Sequence, residues 1–425
     1  MNVSRRRFLA CAAGTSALSL PGLDFASQSD PANLVGPRAG QMSGGIELAE
    51  IAAKPILRLR GLKTPVIIES IELFRKGREH FVRVRSKDGA EGLAVDDGRM
   101  HVLHLVLQRL IIPYFLGKNA RDLEEHLFGV YSYQSNSKLL GLALWCPVAL
   151  VEFAILNLLG RLSGQSLGGL LGGVIRTQVP FYVASGRRDT TAEQEVDYLK
   201  RLIEQTGAKA VKYRVGGRMS RNRDALPGRT EKLIPLSRKA LGNKMVIHAD
   251  ANSSYDPPKA IEVSRLLESI NAIHYEEPCP FDDFEATKRV ADALTIPVAL
   301  GEQEASQWRF EWMLRNRVAD VLQPDFYYYG GLIRSQRVAR MAEHCGVVTT
   351  VHLSGGFGFV DSLHFTSCTK NIGRWQEYKQ GVETYSQWFD PPLRIIDGAL
   401  TIPRGAGAGF AEPRQLLKGA SVVPA

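Results

Sequence analysis

MVIHAD (245–250), AIHYEEP (272–278) and PVALGE (297–302) are three short apolar runs, each carrying an acidic residue at or near its carboxyl end. Asp250, Glu276 and Glu302 follow one another at intervals of 26 residues. One strand, one helix and two loops use roughly that many residues in a parallel β/α barrel, where about 250 residues make eight units. Side chains at the carboxyl ends of successive strands meet over one mouth of such a barrel. Three carboxylates gathered there repel one another unless a cation joins them. A donor set of hard oxygens, with no Cys or His, points to Mg²⁺.

The same alternation continues on both sides. PFYVASG (180–186) and AKAVKYRV (208–215) precede the three runs, and ADVLQPD (319–325) and VVTTVH (347–352) follow them. Between them lie helical patterns such as TAEQEVDYLKRLIEQTG (191–207), PKAIEVSRLLESI (258–270) and RSQRVARMAEHCG (334–346). Repeated β-α units with apolar strands argue for a parallel sheet. Their number, and the return of charge at strand ends, predict closure into a modified (β/α) TIM-type barrel over 176–377. The alternative is an open doubly wound sheet, but no GxGxxG follows its first strand.

Upstream, VIIESIELF (66–74), HFVRVRS (80–86) and AEGLAVD (90–96) read as strands, the last two joined through Lys87-Asp88-Gly89. Helical patterns follow at 101–116, at 121–131 and from Cys146 to Leu159. Together these predict an α+β capping domain over 64–175. The segment 378–425, with LRIIDGALTIPRGAGAGF (393–410), is expected to pack back on that cap.

The chain has 425 residues, 44% hydrophobic and 23% charged, as in an ordinary globular protein. Its formal charge is +9, but Lys and Arg are scattered and no aromatic-studded basic stripe marks a nucleic-acid surface. No apolar run reaches the ~18 residues that would span a bilayer. Ser4-Arg5-Arg6-Arg7-Phe8-Leu9-Ala10, followed by CAAGTSALSL, reads as a twin-arginine export signal over 1–26. That implies a periplasmic protein with no membrane anchor once the signal is removed. Residues 27–63 read as a linker with one short helix. Of five Cys, Cys11 lies in the leader, and the other four show no metal-site spacing. Export permits disulfides among them, yet a domain this large needs none, and buried free thiols are expected.

Lys212-Tyr213-Arg214, Asp250-Ala251-Asn252, Glu276-Glu277-Pro278, Gly301-Glu302, Gln323-Pro324-Asp325, Val351-His352 and Glu377-Tyr378 stand in one order along the chain. Together they resemble the mandelate racemase branch of the enolase superfamily. VALVEFAILNLLGRLSGQSLGGLLGG (148–173) is similar to that family's helix before the barrel. The resemblance covers 64–412. It implies that Asp250, Glu276 and Glu302 hold Mg²⁺. It also implies removal of a proton α to a carboxylate, with the metal stabilising the resulting ene-diolate.

Asp325 and His352 lie 27 residues apart, one more barrel unit. An Asp beside a His orients the imidazole and favours its charged form, which suits general acid–base work. Glu377 resembles the eighth-strand Glu that hydrogen-bonds the substrate carboxylate; to donate it needs a raised pKa. Lys212 would neutralise that carboxylate. Asn252 resembles a position near the substrate's α-hydroxyl, and a plain Asn turn reads as well. His248 and His274 are read as structural.

The departure lies in the second strand, where mandelate racemase has Lys-x-Lys and this chain has Lys212-Tyr213-Arg214. Arg is a poor base and a good anion clamp. A racemase needs a base on each face of the carbon; a dehydratase manages with one His serving as base and then as acid. The resemblance, with this departure and GEQEAS (301–306), points to β-elimination of water from a sugar acid. A racemase or epimerase using Arg214, or an inactive periplasmic sugar-acid binder, are the alternatives. The loop basics Arg218, Arg221, Arg223 and Arg229, and His80, Arg78 and Arg99 of the cap, are further candidates for substrate contact. Relatives commonly assemble as symmetric multimers, so a homo-oligomer is implied.

Overall fold

A computed structural model describes residues 48–353 and 356–424. The export signal read at 1–26 lies outside the described residues. Part of the linker is within them: the helix Leu48–Ala53 buries Leu48, Ile51 and Ala52 against Phe310, Leu314 and Met341.

The cap is an antiparallel meander of β1 (Ile68–Lys76), β2 (Glu79–Ser86) and β3 (Glu91–Val95). Phe74 pairs with Phe81, and Val82 with Ala94. Gly89, at φ +80°, takes the left-handed position that the Asp-Gly turn needs. The sheet packs on the helix Gly141–Ser163 so closely that a Cβ on Gly92 would meet Ala154 O at 2.1 Å. That 23-residue helix corrects the reading that no segment is apolar enough to cross a membrane, for its mean hydropathy reaches 2.0. Within it, every residue from Leu144 to Gly160 is buried. Burial on all sides, rather than amphipathic exposure, explains the composition.

The barrel comprises β4 (Gln178–Ala184), β5 (Ala210–Arg214), β6 (Val246–Asp250), β7 (His274–Glu276), β8 (Val298–Leu300), β9 (Val321–Leu322), β10 (Val348–Thr349) and β11 (Gln376–Tyr378). β4 to β10 pair in parallel and in sequence order. β11 returns to β4, with Glu377 opposite Tyr182. At the seam, Gly373 N donates to Thr349 O at 2.8 Å. Helices return the chain between strands: Ala192–Thr206, for example, opens on a Thr191/Gln194 capping box and stops at Gly207, φ +68°. After β11 the chain makes the hairpin β12 (Ile395–Ile396) and β13 (Ala399–Thr401), and β13 runs antiparallel to β4. β14 (Ser421–Val422) then pairs with β1 of the cap. The tail also packs on the cap before that hairpin, where the Trp388 ring lies 6.0 Å from that of Phe81 and Phe389 joins Phe74 and Phe81. Cys146, Cys279, Cys345 and Cys368 are free thiols.

One buried carboxylate ties cap to barrel. Glu152, inside the helix Gly141–Ser163, accepts from Leu332 N and Ile333 N at 2.7 and 2.9 Å. Those amides open the helix Leu332–His344, whose N-cap carries no side-chain bond of its own. Gly331 is required beside it, because a Cβ there would lie 2.1 Å from Glu152 Oε2.

Candidate active site

Parallel register sets the height of the site. Arg214 pairs with Asp250, and Asp250 with Glu276, so three strand ends stand level. Glu302 arrives from the turn after β8, where Gly301 takes φ +121° against the Phe310 ring. Ligand oxygens of Asp250, Glu276 and Glu302 all lie within 4.8 Å of one another, and all three residues are buried. Among the described residues, Glu302 Oε2 is buried and accepts no hydrogen bond. An oxygen-only donor set with an orphaned carboxylate oxygen fits a hard divalent cation.

Lys212 stands beneath this triad. Its Nζ is 2.8 Å from Glu276, 2.8 Å from Glu377 and 3.8 Å from Asp250. Burial works against its charge, but Glu276 and Glu377 outweigh burial and hold the ammonium above the usual lysine range. Burial would raise Glu276, yet Lys212 and His274 hold it well below the usual carboxylate range; Gln323 Nε2 donates to it at 2.9 Å. Glu377 departs from expectation. Burial favours its neutral form, but Lys212, Lys379 and His352 overrule burial and keep it below the usual range. It accepts from Leu353 N at 3.0 Å.

Asp325 and His352 meet as expected, at 2.8 Å between Oδ2 and Nδ1. The other oxygen of Asp325 accepts from Tyr327 N and Tyr328 N, which fixes the carboxylate. The bond places the imidazole proton on Nδ1, so Nε2 is turned toward the triad, 3.4 Å from Glu302 Oε2. Lys379 was not foreseen. Its Nζ is 3.4 Å from His352 Nε2 and 3.8 Å from Glu377, and it donates to Leu353 O.

On the far side, Arg214 Nη1 lies against Asp250 Oδ2. Asn252 is fully engaged: its amide donates to Asp250 Oδ2 at 3.2 Å and Glu277 Oε2 at 3.4 Å, and its oxygen accepts from Arg188 and Arg218. Of the loop arginines, Arg218 reaches the mouth, whereas Arg229 is buried and bonds Thr190 O and Arg214 O at 2.7 Å each. Glu277, at φ +40°, keeps Oε1 buried without a partner. Burial first, then Glu302 and Glu276, push its pKa up.

His248 and His274 sit two residues before Asp250 and Glu276, so alternation points them into the barrel below the triad. There His248 Nδ1 and His274 Nε2 are 3.0 Å apart, and the Tyr182 ring packs on His248. In the cap, Arg99 donates to Tyr328 OH, and the Tyr328 ring lies 6.2 Å from that of His352. Arg78 and His80 instead line a separate cleft of about 630 Å³ with His101, His104 and Val422.

The family model described as Enolase C-terminal domain-like matches residues 194–414. This chain belongs to the enolase superfamily. A Paracoccus denitrificans PD1222 structure, a mandelate racemase/muconate lactonizing protein complexed with magnesium, is 26% identical. It superposes with a TM-score of 0.75 over 84% of this chain and 99% of that one. A Roseobacter denitrificans structure, assigned provisionally as a racemase, is 33% identical with a TM-score of 0.78, over 84% and 99%. Arabinonate dehydratase of Saccharolobus solfataricus is 25% identical over 338 residues, 77% of this chain and 86% of that protein. Other relatives at 23–26% identity include L-talarate/galactarate dehydratase of Salmonella typhimurium, an epimerase of Bacillus subtilis and a cycloisomerase of Agrobacterium fabrum. The chain is thus an enolase-superfamily enzyme of the mandelate racemase/muconate lactonizing branch, with a buried Asp/Glu/Glu metal site.

Proposed function

We propose that this enolase-superfamily enzyme is a Mg²⁺-dependent dehydratase of a sugar acid. The observation that carries the reading is an asymmetry across the triad. On the Glu302 side stands His352, oriented by Asp325, with Nε2 turned toward the triad and Lys379 Nζ 3.4 Å from it. On the Asp250 side stands Arg214, a guanidinium already pressed on a carboxylate. One side offers a base, and the other offers a clamp.

Asp250, Glu276 and Glu302 would hold the ion, which when bound supplies Lewis-acid stabilisation of charge building on the substrate carboxylate. Lys212 adds a fixed positive charge beside that carboxylate, and Glu377 holds Lys212 in place. His352 Nε2 takes the proton from the α-carbon. The electrons of that C–H bond form the double bond as the β-hydroxyl leaves. The same Nε2–H donates to the departing oxygen, so water is released and His352 returns to its neutral form. Relatives named arabinonate dehydratase and L-talarate/galactarate dehydratase support this class. A racemase is the second reading, favoured by the 33% identity to the Roseobacter structure.

The test is a panel of sugar acids with Mg²⁺ in D₂O. Formation of a 2-keto acid with loss of water is expected. Exchange of the α-proton with all oxygen retained would replace the dehydratase by the racemase. The basic leader supports a periplasmic location, which fractionation of cells making the full chain would check.

A further inference from the structure

The mouth of the barrel holds more positive charge than the chemistry above uses. Arg188, from the loop after β4, places Nη2 2.5 Å from Asn252 Oδ1. Arg218, from the loop after β5, places Nη2 3.4 Å from the same oxygen. Arg214 ends β5 beside them, with Nε buried and unpartnered. Among the described residues, neither Arg188 nor Arg218 has a carboxylate partner. Arg188 Nε is likewise buried and unpartnered, though a guanidinium carries five donors.

Arg229, in the same region, shows what a structural arginine looks like here. Its Nε, Nη1 and Nη2 bond Thr190 O, Arg214 O and Arg187 O, and Glu195 lies 3.5 Å away. Arg188 has no such set. Burial first, then Arg214, Arg218 and Arg229, pull its pKa down to about 9. Acids near the cluster are Asp250, assigned to the metal, and Glu277; both already take the Asn252 amide.

We infer that Arg188 and Arg218, pinned by Asn252 and backed by Arg214, receive a second carboxylate at the far end of the substrate, which is therefore a dicarboxylic sugar acid. The inference rests on the dehydratase reading for the first carboxylate, which belongs to the triad and Lys212. Asn252 joins the two ends, since its amide touches Asp250 while its oxygen touches Arg188. One molecule lying across the mouth reaches both. Planar bidentate recognition of carboxylate is the task for which Arg is suited.

Calorimetric titration of the Mg²⁺-loaded protein tests this, using six-carbon aldarates against aldonates of matching configuration. The aldarate should bind about tenfold more tightly, a difference near 1.4 kcal/mol. Arg188→Gln with Arg218→Gln should abolish the preference, so that the aldarate binds no more tightly than the aldonate. Should the double variant not fold, Arg218→Gln alone, at an exposed position, carries the same comparison. Equal binding of the two acids by the unaltered protein overturns the inference, as does equal weakening of both in the variant. Preference for a 6-phosphoaldonate over the aldarate overturns it in favour of phosphate. An aldarate preference without water loss in the panel would sink the dehydratase reading while leaving this one standing.

Discussion

Asp325 serves three groups with two oxygens: the Tyr327 and Tyr328 amides and the His352 ring. Its value lies in orientation, since it decides which imidazole nitrogen meets substrate. Asp325→Asn removes the charge and favours the wrong tautomer. A fall in kcat of about 10²-fold or more is expected, with KM nearly kept. A Tm well below that of the unaltered protein would point to disturbed folding instead. His352→Asn should remove dehydration by about 10²- to 10⁴-fold and abolish α-proton exchange. Surviving exchange in D₂O would assign the base elsewhere. Arg214→Lys tests the other face: a lysine there supplies a second competent base, so α-proton exchange without water loss should appear. Its absence would mean that the lost base does not explain the specificity.

Strands made the catalytic residues legible, because parallel register converts even spacing along the chain into equal height across the barrel. Asp250 and Glu276 are direct register partners, and Asp325 and His352 bridge one another. What escaped was set by contacts between elements. Lys379 is one residue past β11, and its approach to His352 depends on how two loops fold back. Arg188 lies in the loop after β4, where no periodicity applies. The lowered pKa of Glu377 follows from Lys212 standing 2.8 Å away, a distance no motif reports. Glu152 shows the same limit: a lone Glu in an apolar helix becomes the cap of a helix 180 residues later. Burial, against the two amide bonds, pushes Glu152 up to about 8 from 4.5. Its folded pKa is raised, so the folded state holds its proton longer than the unfolded chain does. Between pH 4.5 and about 8 the unfolded state is favoured progressively as pH rises. Asp361, also buried and pushed up to about 8, acts in the same direction. Thermal melting should therefore fall across that window, and Glu152→Gln should flatten the slope. An unchanged slope in the variant would remove Glu152 from the linkage.

At the scale of the whole molecule, the fold gathers like charges where no solvent can separate them. Asp250, Glu276 and Glu302 are buried together; Arg214 lies on Asp250, and Lys212 is shared between Glu276 and Glu377, so Glu302 has neither cation beside it. The cap is tied to the barrel by Glu152, and β14 pairs with β1. Mg²⁺ is therefore expected to act as a stabilising ligand of the folded state as well as a cofactor. At free ion 100 times its Kd, the gain is about 2.7 kcal/mol, read as a rise in Tm on titration with MgCl₂. Glu302→Gln removes one of three charges and one ligand, so the rise should be lost together with about 10³-fold of activity. His352→Asn leaves the triad whole, so it should lose activity and keep the rise. The two variants separate metal binding from proton transfer in a measurement that needs no substrate. A Tm that responds to Mg²⁺ equally in Glu302→Gln and the unaltered protein would place the ion somewhere other than between these three carboxylates.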